Sequence, residues 1–371
     1  MATPKAAPKH RNAYLVPAML KNLSYKLTSA LSSSEVPTLK KDGAFAKATK
    51  TEQLFPTTDP AIDGDECLHD CSSCTVKYPR KFEIDETEEL FGHVKGFNTH
   101  LIVATGKTDW VRDVADEKGS IMEAVDKGST KPSNGKLMLS ASDIPVPNHS
   151  DESTTVLLLP AWQFIDNVSP ANTPDLITNF INPGPTNSTP IQPRAAASTP
   201  AQSNGDAPSI PPTPSLGARP CPHKYLILMC SQKTRDARCG QSAPLLRREF
   251  ERILRPMGLY RDLHDERPGG VGIYFISHVG GHKFSANVMV YRHSSAVQLS
   301  GQTNGGEQDG QEVLLDADRE GGEAAQCIWL ARVRPEDCEN IVRYTVLQGK
   351  VVKPERQLRG GFDRSKQLAS W

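Results

Sequence analysis

Alternating apolar and polar stretches predict two regions of mixed strand and helix. In the C-terminal region, short continuous apolar runs at 225–229 and 271–276 are typical of buried strands. Apolar residues at helical spacing predict a helix over 243–255. Further strands are predicted at 287–291 and 328–333, and a helix opened by proline at 335–347.

The N-terminal region shows the same order of signals. Strands are predicted at 100–104, 136–140 and 155–159, with helices at 111–125 and 174–181. Strand, helix, two or three strands and helix is the thioredoxin-like order, and it occurs twice. The sequence therefore predicts an α/β fold with two thioredoxin-like domains, at 65–181 and 221–371.

Three polar segments flank or interrupt these regions. Residues 1–64 predict a basic, mostly disordered tail, whose first 34 residues contain no Asp or Glu and suit either a mitochondrial transit helix or a surface-docking helix. Residues 182–220 are rich in Pro, Ser and Thr and predict a disordered linker. Residues 294–326 predict a loop insertion.

Composition narrows the class of protein. Among the 371 residues, Lys plus Arg and Asp plus Glu number 43 each, so no net field favours nucleic acid. The chain shows neither a transmembrane run nor a signal peptide, which predicts a soluble intracellular protein. Eight irregularly spaced cysteines suit a reducing compartment, where thiols stay free or bind metal.

Four potential metal ligands follow two of the predicted strands. Cys230 and Cys239 have eight residues between them, and His278 and His282 have three. Both pairs would lie at strand ends on the same side of a sheet. The spacing leaves three interpretations open: structural zinc, an iron–sulfur cluster, or ordinary cysteines and histidines. Arg235, Arg238 and Lys283 would place positive charge beside a cluster.

The residues around these ligands resemble those of a known family. The motifs are Cys230-Ser-x3-Arg-Asp-x-Arg-Cys239-Gly, Gly258-Leu-Tyr-Arg-Asp262, His278-Val-Gly-Gly-His282-Lys-Phe and Ile328-Trp-Leu-x-Arg-Val333. They resemble the sucrase/ferredoxin-like family across almost all of the second region, and more thinly the first, at Thr108-Asp-Trp-x2-Asp113. The resemblance implies a thioredoxin-like ferredoxin domain, preceded by a degenerate one, with a [2Fe-2S] cluster held by Cys230, Cys239, His278 and His282.

Ligand chemistry then predicts function. Neutral imidazole in place of thiolate raises a cluster's potential, and its second nitrogen could couple protons to electrons. We therefore expect a one-electron carrier, rather than a stand-alone enzyme, that works with an unidentified reductase and acceptor. The alternative is a zinc-stabilised or metal-free thioredoxin-like adaptor linked to actin organisation.

The terminal tripeptide Ala369-Ser370-Trp371 adds a prediction about maturation. It resembles the C-terminal signal by which cytosolic iron–sulfur clients are recognised by the assembly machinery. An exposed indole and a free carboxylate would give a two-point anchor. This interpretation favours a cytoplasmic address over a mitochondrial one.

The remaining cysteines are interpreted as free thiols. Cys67, Cys71 and Cys74 form a Cys-x3-Cys-x2-Cys run with His69 between them and no obvious fourth ligand. Acidic neighbours would raise their thiol pKa, so flexible reduced thiols are favoured over a metal site or redox disulfide. Cys327 and Cys338 are expected in the core or at the surface.

Overall fold

The computed structural model describes residues 45–146, 153–191, 215–297 and 322–371. In this part of the chain, thirteen strands form one mixed sheet. They are β1 (Ala46–Lys47), β2 (Thr99–Ala104), β3 (Leu137–Ser142), β4 (Thr154–Leu159), β5 (Gln163–Val168), β6 (Gly217–Pro220), β7 (Tyr225–Cys230), β8 (Tyr260–Arg261), β9 (Val271–Ile276), β10 (Val288–His293), β11 (Ala324–Leu330), β12 (Leu358–Asp363) and β13 (Leu368–Ala369).

Most of the helices are short, with one exception. The long helix is α5 (Ala237–Leu254). The others are α1 (Thr51–Leu54), α2 (Pro60–Asp63), α3 (Ile121–Lys127), α4 (Thr173–Leu176, continued by a π-helical turn Ile177–Ile181), α6 (Cys338–Asn340, continued by Ile341–Val346) and α7 (Pro354–Gln357). None of the described helices is both long enough and apolar enough to cross a membrane.

Strands from both predicted regions belong to the same sheet. The strand order is β1-β13-β12-β11-β10-β7-β9-β3-β2-β4-β5-β6, and β8 pairs with β9. The junction is β3 with β9, where Ser142 lies opposite Ile276. Asp143 extends it by accepting from the Phe275 N–H at 2.7 Å and pairing with Arg247 at 2.7 Å. The fold is therefore mixed α/β, with the two regions joined edge to edge.

Apolar side chains cover both faces of the central strands. Along β7, Ile227 and Met229 face the core that contains α5, while Leu226 and Leu228 face a second core with Trp162 and other large side chains. A strand buried on both faces needs apolar residues at every position, because successive side chains point to opposite faces. This explains why β7 and β9 were predictable as continuous apolar runs.

The predicted strands are confirmed to within a few residues, but two helix predictions need correction. The helix predicted over 111–125 is instead a short 3-10 turn and α3, because the Ser120 hydroxyl accepts from the Glu123 N–H at 3.1 Å and starts the helix there. Helix α5 begins at Ala237, before the predicted 243, because Asp236 caps it by accepting from the Arg238 N–H at 2.9 Å.

Part of the predicted disordered tail is folded. Leu54 and Phe55 are almost fully buried, and they pack in the same core as Ile227 and the apolar face of α5. Strand β1 pairs in parallel with β13 near the other end of the chain. The tail prediction is therefore wrong for residues 45–64, while residues 1–44, including the basic helical stripe, lie outside the described residues.

The ends of the predicted linker and insertion are also ordered. The Asn187 N–H donates to the Asn98 carbonyl at 2.9 Å, the Arg364 side chain donates to the Thr189 carbonyl at 2.8 Å, and β6 pairs with β5. Strand β11 begins within the predicted insertion. Residues 192–214 and 298–321, the centres of these two segments, lie outside the described residues.

Candidate metal centre

Two adjacent parallel strands bring the predicted ligands to one edge of the sheet. Strands β7 and β9 are paired with Cys230 opposite Ile276, so their carboxyl ends coincide. Cys230 ends β7 and His278 follows β9, while Cys239 lies in the first turn of α5. The expected convergence of the two loops is therefore observed.

Three of the four predicted ligands form a compact group. The Cys230 and Cys239 sulfurs and a His278 ring nitrogen all lie within 4.8 Å of one another, and both cysteines are buried. The Cys230 Sγ lies 3.9 Å from His278 Nδ1. His282 lies outside this group, although its ring centroid is 5.2 Å from that of His278. The two imidazoles are thus neighbours on one loop beside the thiols.

The two thiols differ in proton affinity. The Cys239 side chain hydrogen-bonds to Cys230 and lowers the pKa of Cys230, whereas Cys230 and burial raise the pKa of Cys239. Burial, together with the neighbouring His278, lowers the pKa of His282. The first thiolate therefore forms most readily at Cys230, and His282 favours the neutral imidazole that binds metals.

A loop of the N-terminal region accepts hydrogen bonds from residues next to the candidate ligands. The Gln232 amide donates to the Val111 carbonyl at 2.5 Å and accepts from the His278 N–H at 2.8 Å. The Ser231 hydroxyl donates to the Thr108 carbonyl at 2.8 Å. Residues 108–111, which carry part of the weaker family resemblance, therefore fix the backbone next to Cys230 and His278.

The buried positive charge comes from a residue that sequence reasoning missed. Arg359, on β12, is 5% exposed; it donates to the Asn287 side chain at 2.7 Å and to the Gly280 carbonyl at 3.1 Å. Its guanidinium lies 4.8 Å from the centroid of the Trp329 ring. Burial lowers the pKa of Arg359 to about 10, and the nearby Cys230 opposes that shift. No local pattern marked this residue, because its contacts lie far away in sequence.

The three charged side chains predicted beside the ligands each make a further contact. Arg238 pairs with Asp236 at 2.8 Å, and Lys283 pairs with Glu88. Arg235 donates to the Arg112 carbonyl at 3.4 Å. The charges of Arg235 and Arg238 still help to lower the pKa of His282, so both lie close to a predicted ligand. Arg359 adds a buried positive charge near Cys230.

The donor set suits a metal centre. Two buried thiols and an imidazole nitrogen are ligands used by both zinc and iron–sulfur centres. The start of α5 also favours negative charge at Cys239, because helix N-termini stabilise anions. The residues present therefore fit either a zinc ion or an iron–sulfur cluster with mixed sulfur and nitrogen ligands.

Trp371 is less accessible than expected. Its ring centroid lies 5.1 Å from that of Phe97, and a Cβ at Gly96 would meet its side chain at 2.4 Å. The Ser370 hydroxyl accepts from the Gly361 N–H at 3.0 Å. The prediction of an exposed indole is wrong here, since the tail is part of the sheet and the indole is half-buried.

Comparisons with known proteins agree with the motifs. The family model described as sucrase/ferredoxin-like matches residues 90–360. The chain is 28% identical over 255 residues to Actin patches distal protein 1 of Saccharomyces cerevisiae, covering 63% of this chain and 74% of that protein.

Two further relatives are named Altered inheritance of mitochondria protein 32. The one from Clavispora lusitaniae is 29% identical over 184 residues, covering 49% of this chain and 50% of the relative. The one from Debaryomyces hansenii is 32% identical over 130 residues, covering 35% and 34%. No solved structure matches. Because the family model spans most of the chain, this protein belongs to the sucrase/ferredoxin-like family.

Proposed function

We propose that this protein is an iron–sulfur electron carrier that binds one [2Fe-2S] cluster through Cys230, Cys239, His278 and His282. One observation supports this most directly: two buried thiols and an imidazole nitrogen meet within 4.8 Å at the ends of adjacent parallel strands. The proposal includes the thioredoxin-like ferredoxin interpretation of residues 221–371 and the degenerate one of residues 65–181. When bound, such a cluster accepts and releases one electron.

The chain's own residues prepare this site. Cys230 and Cys239 provide thiolates in a buried environment, which limits access of water. Arg359 places positive charge near Cys230 and so offsets the negative charge of the thiolates. Gln232 holds the His278 backbone in position through its amide oxygen.

The histidines give the proposal a proton-coupled part. His278 and His282 each have two ring nitrogens, so each keeps one nitrogen able to hold a proton when the other binds metal. One proton per electron would lower the midpoint potential by about 59 mV per pH unit. Redox titration between pH 6 and 9 checks this, and a constant midpoint would remove the coupling from the proposal.

Partners and location follow as further parts of the proposal. An electron carrier requires a reductase and an acceptor, both unidentified. Recognition of Trp371 by the cytosolic iron–sulfur assembly machinery would require the indole to leave its contact with Phe97. We propose a cytoplasmic location, with a mitochondrial one as the alternative in view of the names of two relatives.

The decisive experiment measures metal and sulfide in the anaerobically purified full chain. We expect about two irons and two sulfides per chain, visible absorbance, and a paramagnetic signal after reduction. Cys230→Ser and His278→Ala should lose the iron. The matched controls Cys71→Ser and His264→Asn change more exposed residues away from the centre and should retain it.

The adaptor remains the second candidate because the same three side chains could meet at a single ion. A colourless protein with one zinc lost in Cys230→Ser would favour a zinc-stabilised adaptor. A folded protein free of metal would favour the metal-free form. In either case a role in actin organisation would rest on the name of one relative.

A further inference from the structure

A second group of sulfur and carboxylate side chains lies where residues 65–78 pack on α5 and α6. Cys71 and Cys74 occupy the first and last positions of a turn in which the Cys74 N–H donates to the Cys71 carbonyl at 3.4 Å. Such four-residue turns bring their end Cα atoms within about 7 Å, and disulfides need about 4.4–6.8 Å. Both thiols are partly exposed. The turn can therefore be closed by a disulfide without moving its ends far.

An arginine distinguishes Cys71 from its partner. The Arg252 Nη2 donates to the Cys71 sulfur at 3.5 Å and to Glu249 Oε1 at 2.6 Å. One guanidinium nitrogen therefore connects the thiol and the carboxylate. A neighbouring arginine stabilises the thiolate, which is the nucleophilic form of cysteine.

A buried carboxylate distinguishes Cys74. The Glu249 side chain is 1% exposed, and its Oε2 has no hydrogen-bond partner among the described residues. Burial first, and then Glu249 among other groups, raises the pKa of Cys74 to about 11. The Cys74 thiol donates to the Val76 carbonyl at 3.5 Å, and Glu249 lies close enough for its carboxylate to raise the pKa of Cys74.

Two of the four acidic residues near these cysteines, Asp63 and Asp70, form ion pairs, whereas Asp65 and Glu66 are exposed. Asp63 forms an ion pair with Lys350, and Asp70 forms one with Lys353 at 2.6 Å. Their charges are therefore largely offset by these lysines. The pKa of Cys74 is raised as predicted, but the main cause is burial.

We propose that Cys71 and Cys74 form a redox-active dithiol that exchanges with disulfides, with Cys71 as the attacking thiolate and Glu249 as the base for Cys74. This activity is separate from the metal centre, which uses other cysteines. Because both thiols are only partly exposed, the substrate class is a low-molecular-weight disulfide, and glutathione disulfide serves as the probe.

The exchange balances in two steps. The Cys71 thiolate attacks one sulfur of the disulfide, its S–S bond breaks, and one glutathione leaves as a thiolate. Cys74 then gives its proton to Glu249, and the Cys74 sulfur attacks the Cys71 sulfur of the mixed disulfide. The bond between Cys71 and glutathione breaks, and the second glutathione leaves as a thiolate. Two protein thiols are oxidised to one disulfide, one glutathione disulfide is reduced to two thiols, and the released protons go to the leaving groups.

Mass spectrometry of the full chain after equilibration with glutathione disulfide and maleimide blocking tests the pair. The tryptic peptide 51–77 contains Cys67, Cys71 and Cys74. We expect this peptide to be two hydrogens lighter than its fully reduced form and to carry one maleimide, at Cys67. Cys74→Ser should trap one glutathione on Cys71, whereas Cys71→Ser should trap far less on Cys74. Cys67→Ala is the matched control and should still form the disulfide.

Kinetics separate the role of Glu249 from a structural one. Glu249→Gln should slow closure of the disulfide about 100-fold while leaving the first attack on glutathione disulfide little changed.

Equal capture of glutathione by Cys71→Ser and Cys74→Ser would overturn the assignment of roles. A disulfide to Cys338, three blocked thiols in peptide 51–77, or zinc lost specifically from Cys71→Ser and Cys74→Ser would overturn the proposal itself. Iron content reports separately on the metal centre, so failure of one proposal is distinguishable from failure of the other.

Discussion

Individual buried polar residues hold the metal centre in place, and Arg359 is the clearest example. Its guanidinium donates hydrogen bonds to the Asn287 side chain and the Gly280 carbonyl, which belong to the segment that carries the two histidines. Asn287 is 2% exposed, so its side-chain acceptor has little access to water. A change at position 359 therefore affects the histidine loop without touching a ligand.

Replacing Arg359 with methionine keeps much of the side-chain length and removes the donors. We expect the free energy of unfolding to fall by about 2–3 kcal/mol, because a buried acceptor left without a donor costs about 1–3 kcal/mol. Urea unfolding followed by tryptophan fluorescence measures this. Arg255→Met, at an exposed ion pair on α5, is the control and should change stability by less than about 0.5 kcal/mol. Equal effects of the two substitutions would contradict the role given to Arg359.

A buried histidine predicts how stability depends on pH. His100 hydrogen-bonds to the Tyr291 hydroxyl at 3.0 Å and to the Ser140 hydroxyl at 2.9 Å, and burial lowers the pKa of His100 to about 3. Between that value and its ordinary pKa of 6.5, the unfolded chain binds a proton that the folded chain does not. The contribution of His100 to the free energy of unfolding is therefore constant above pH 6.5 and is lost as pH falls towards 3.

The variant His100→Gln isolates this contribution. Wild type should lose stability more steeply than the variant as pH falls from 6.5 to 4.5, by up to about 1.4 kcal/mol per pH unit. The pKa values of His223 and His293 are also lowered by burial, to about 4, but both residues are present in the two proteins and cancel in the comparison. Parallel stability curves from urea unfolding at each pH would refute the assignment.

At the scale of elements, the C-terminal strand joins the first strand of the described residues to the rest of the sheet. Strand β13 pairs with both β12 and β1, and Trp371 follows it directly. The indole packs on Phe97 and fills the space above Gly96. The terminal tripeptide thus contributes to folding whether or not it also serves as a recognition signal.

Truncation of this side chain separates the two roles. Trp371→Ala should lower the free energy of unfolding by about 1–2 kcal/mol, because a half-buried indole loses its apolar contacts. Trp371→Phe keeps an aromatic ring at the same place and should lose less. Unchanged urea unfolding of Trp371→Ala, together with lost cluster occupancy in cells, would show that the residue acts as a signal alone.

Elements differ in how well the sequence predicts them. Strands β7 and β9 were predictable because both faces are buried, so every position is apolar. Strand β12 was missed, since Arg359, Gly360 and Gly361 give it no apolar run. The helix predicted over 111–125 was wrong, because the cap at Ser120 outweighed the apolar spacing.

At the scale of the whole molecule, strands from all parts of the described residues belong to one sheet. Residues 45–64 supply Leu54 and Phe55 to the core beneath β7, and β9 relies on β3 for pairing along one edge. The region 221–371 therefore lacks part of its core when separated from the rest. The two thioredoxin-like domains predicted at 65–181 and 221–371 thus contribute strands to one sheet.

Unfolding of two fragments tests whether residues 221–371 depend on the rest of the chain. We expect residues 45–371 to unfold in one cooperative transition, and residues 221–371 alone to show none, because its core and sheet edge would be exposed to water. Circular dichroism during urea unfolding measures both. A cooperative transition of the short fragment would show instead that residues 221–371 fold as a separate domain.

The sequence by itself determined the order of the main strands and the identity of the candidate ligands. Both are local properties: a buried strand needs an apolar run, and metal chemistry needs particular side chains at strand ends. Tertiary structure decided the rest. It merged two regions into one sheet, placed Arg359 beside the thiols, and brought Arg252 and Glu249 to Cys71 and Cys74. These contacts join residues far apart in the chain, and no local pattern encodes which distant side chains meet in a packed core.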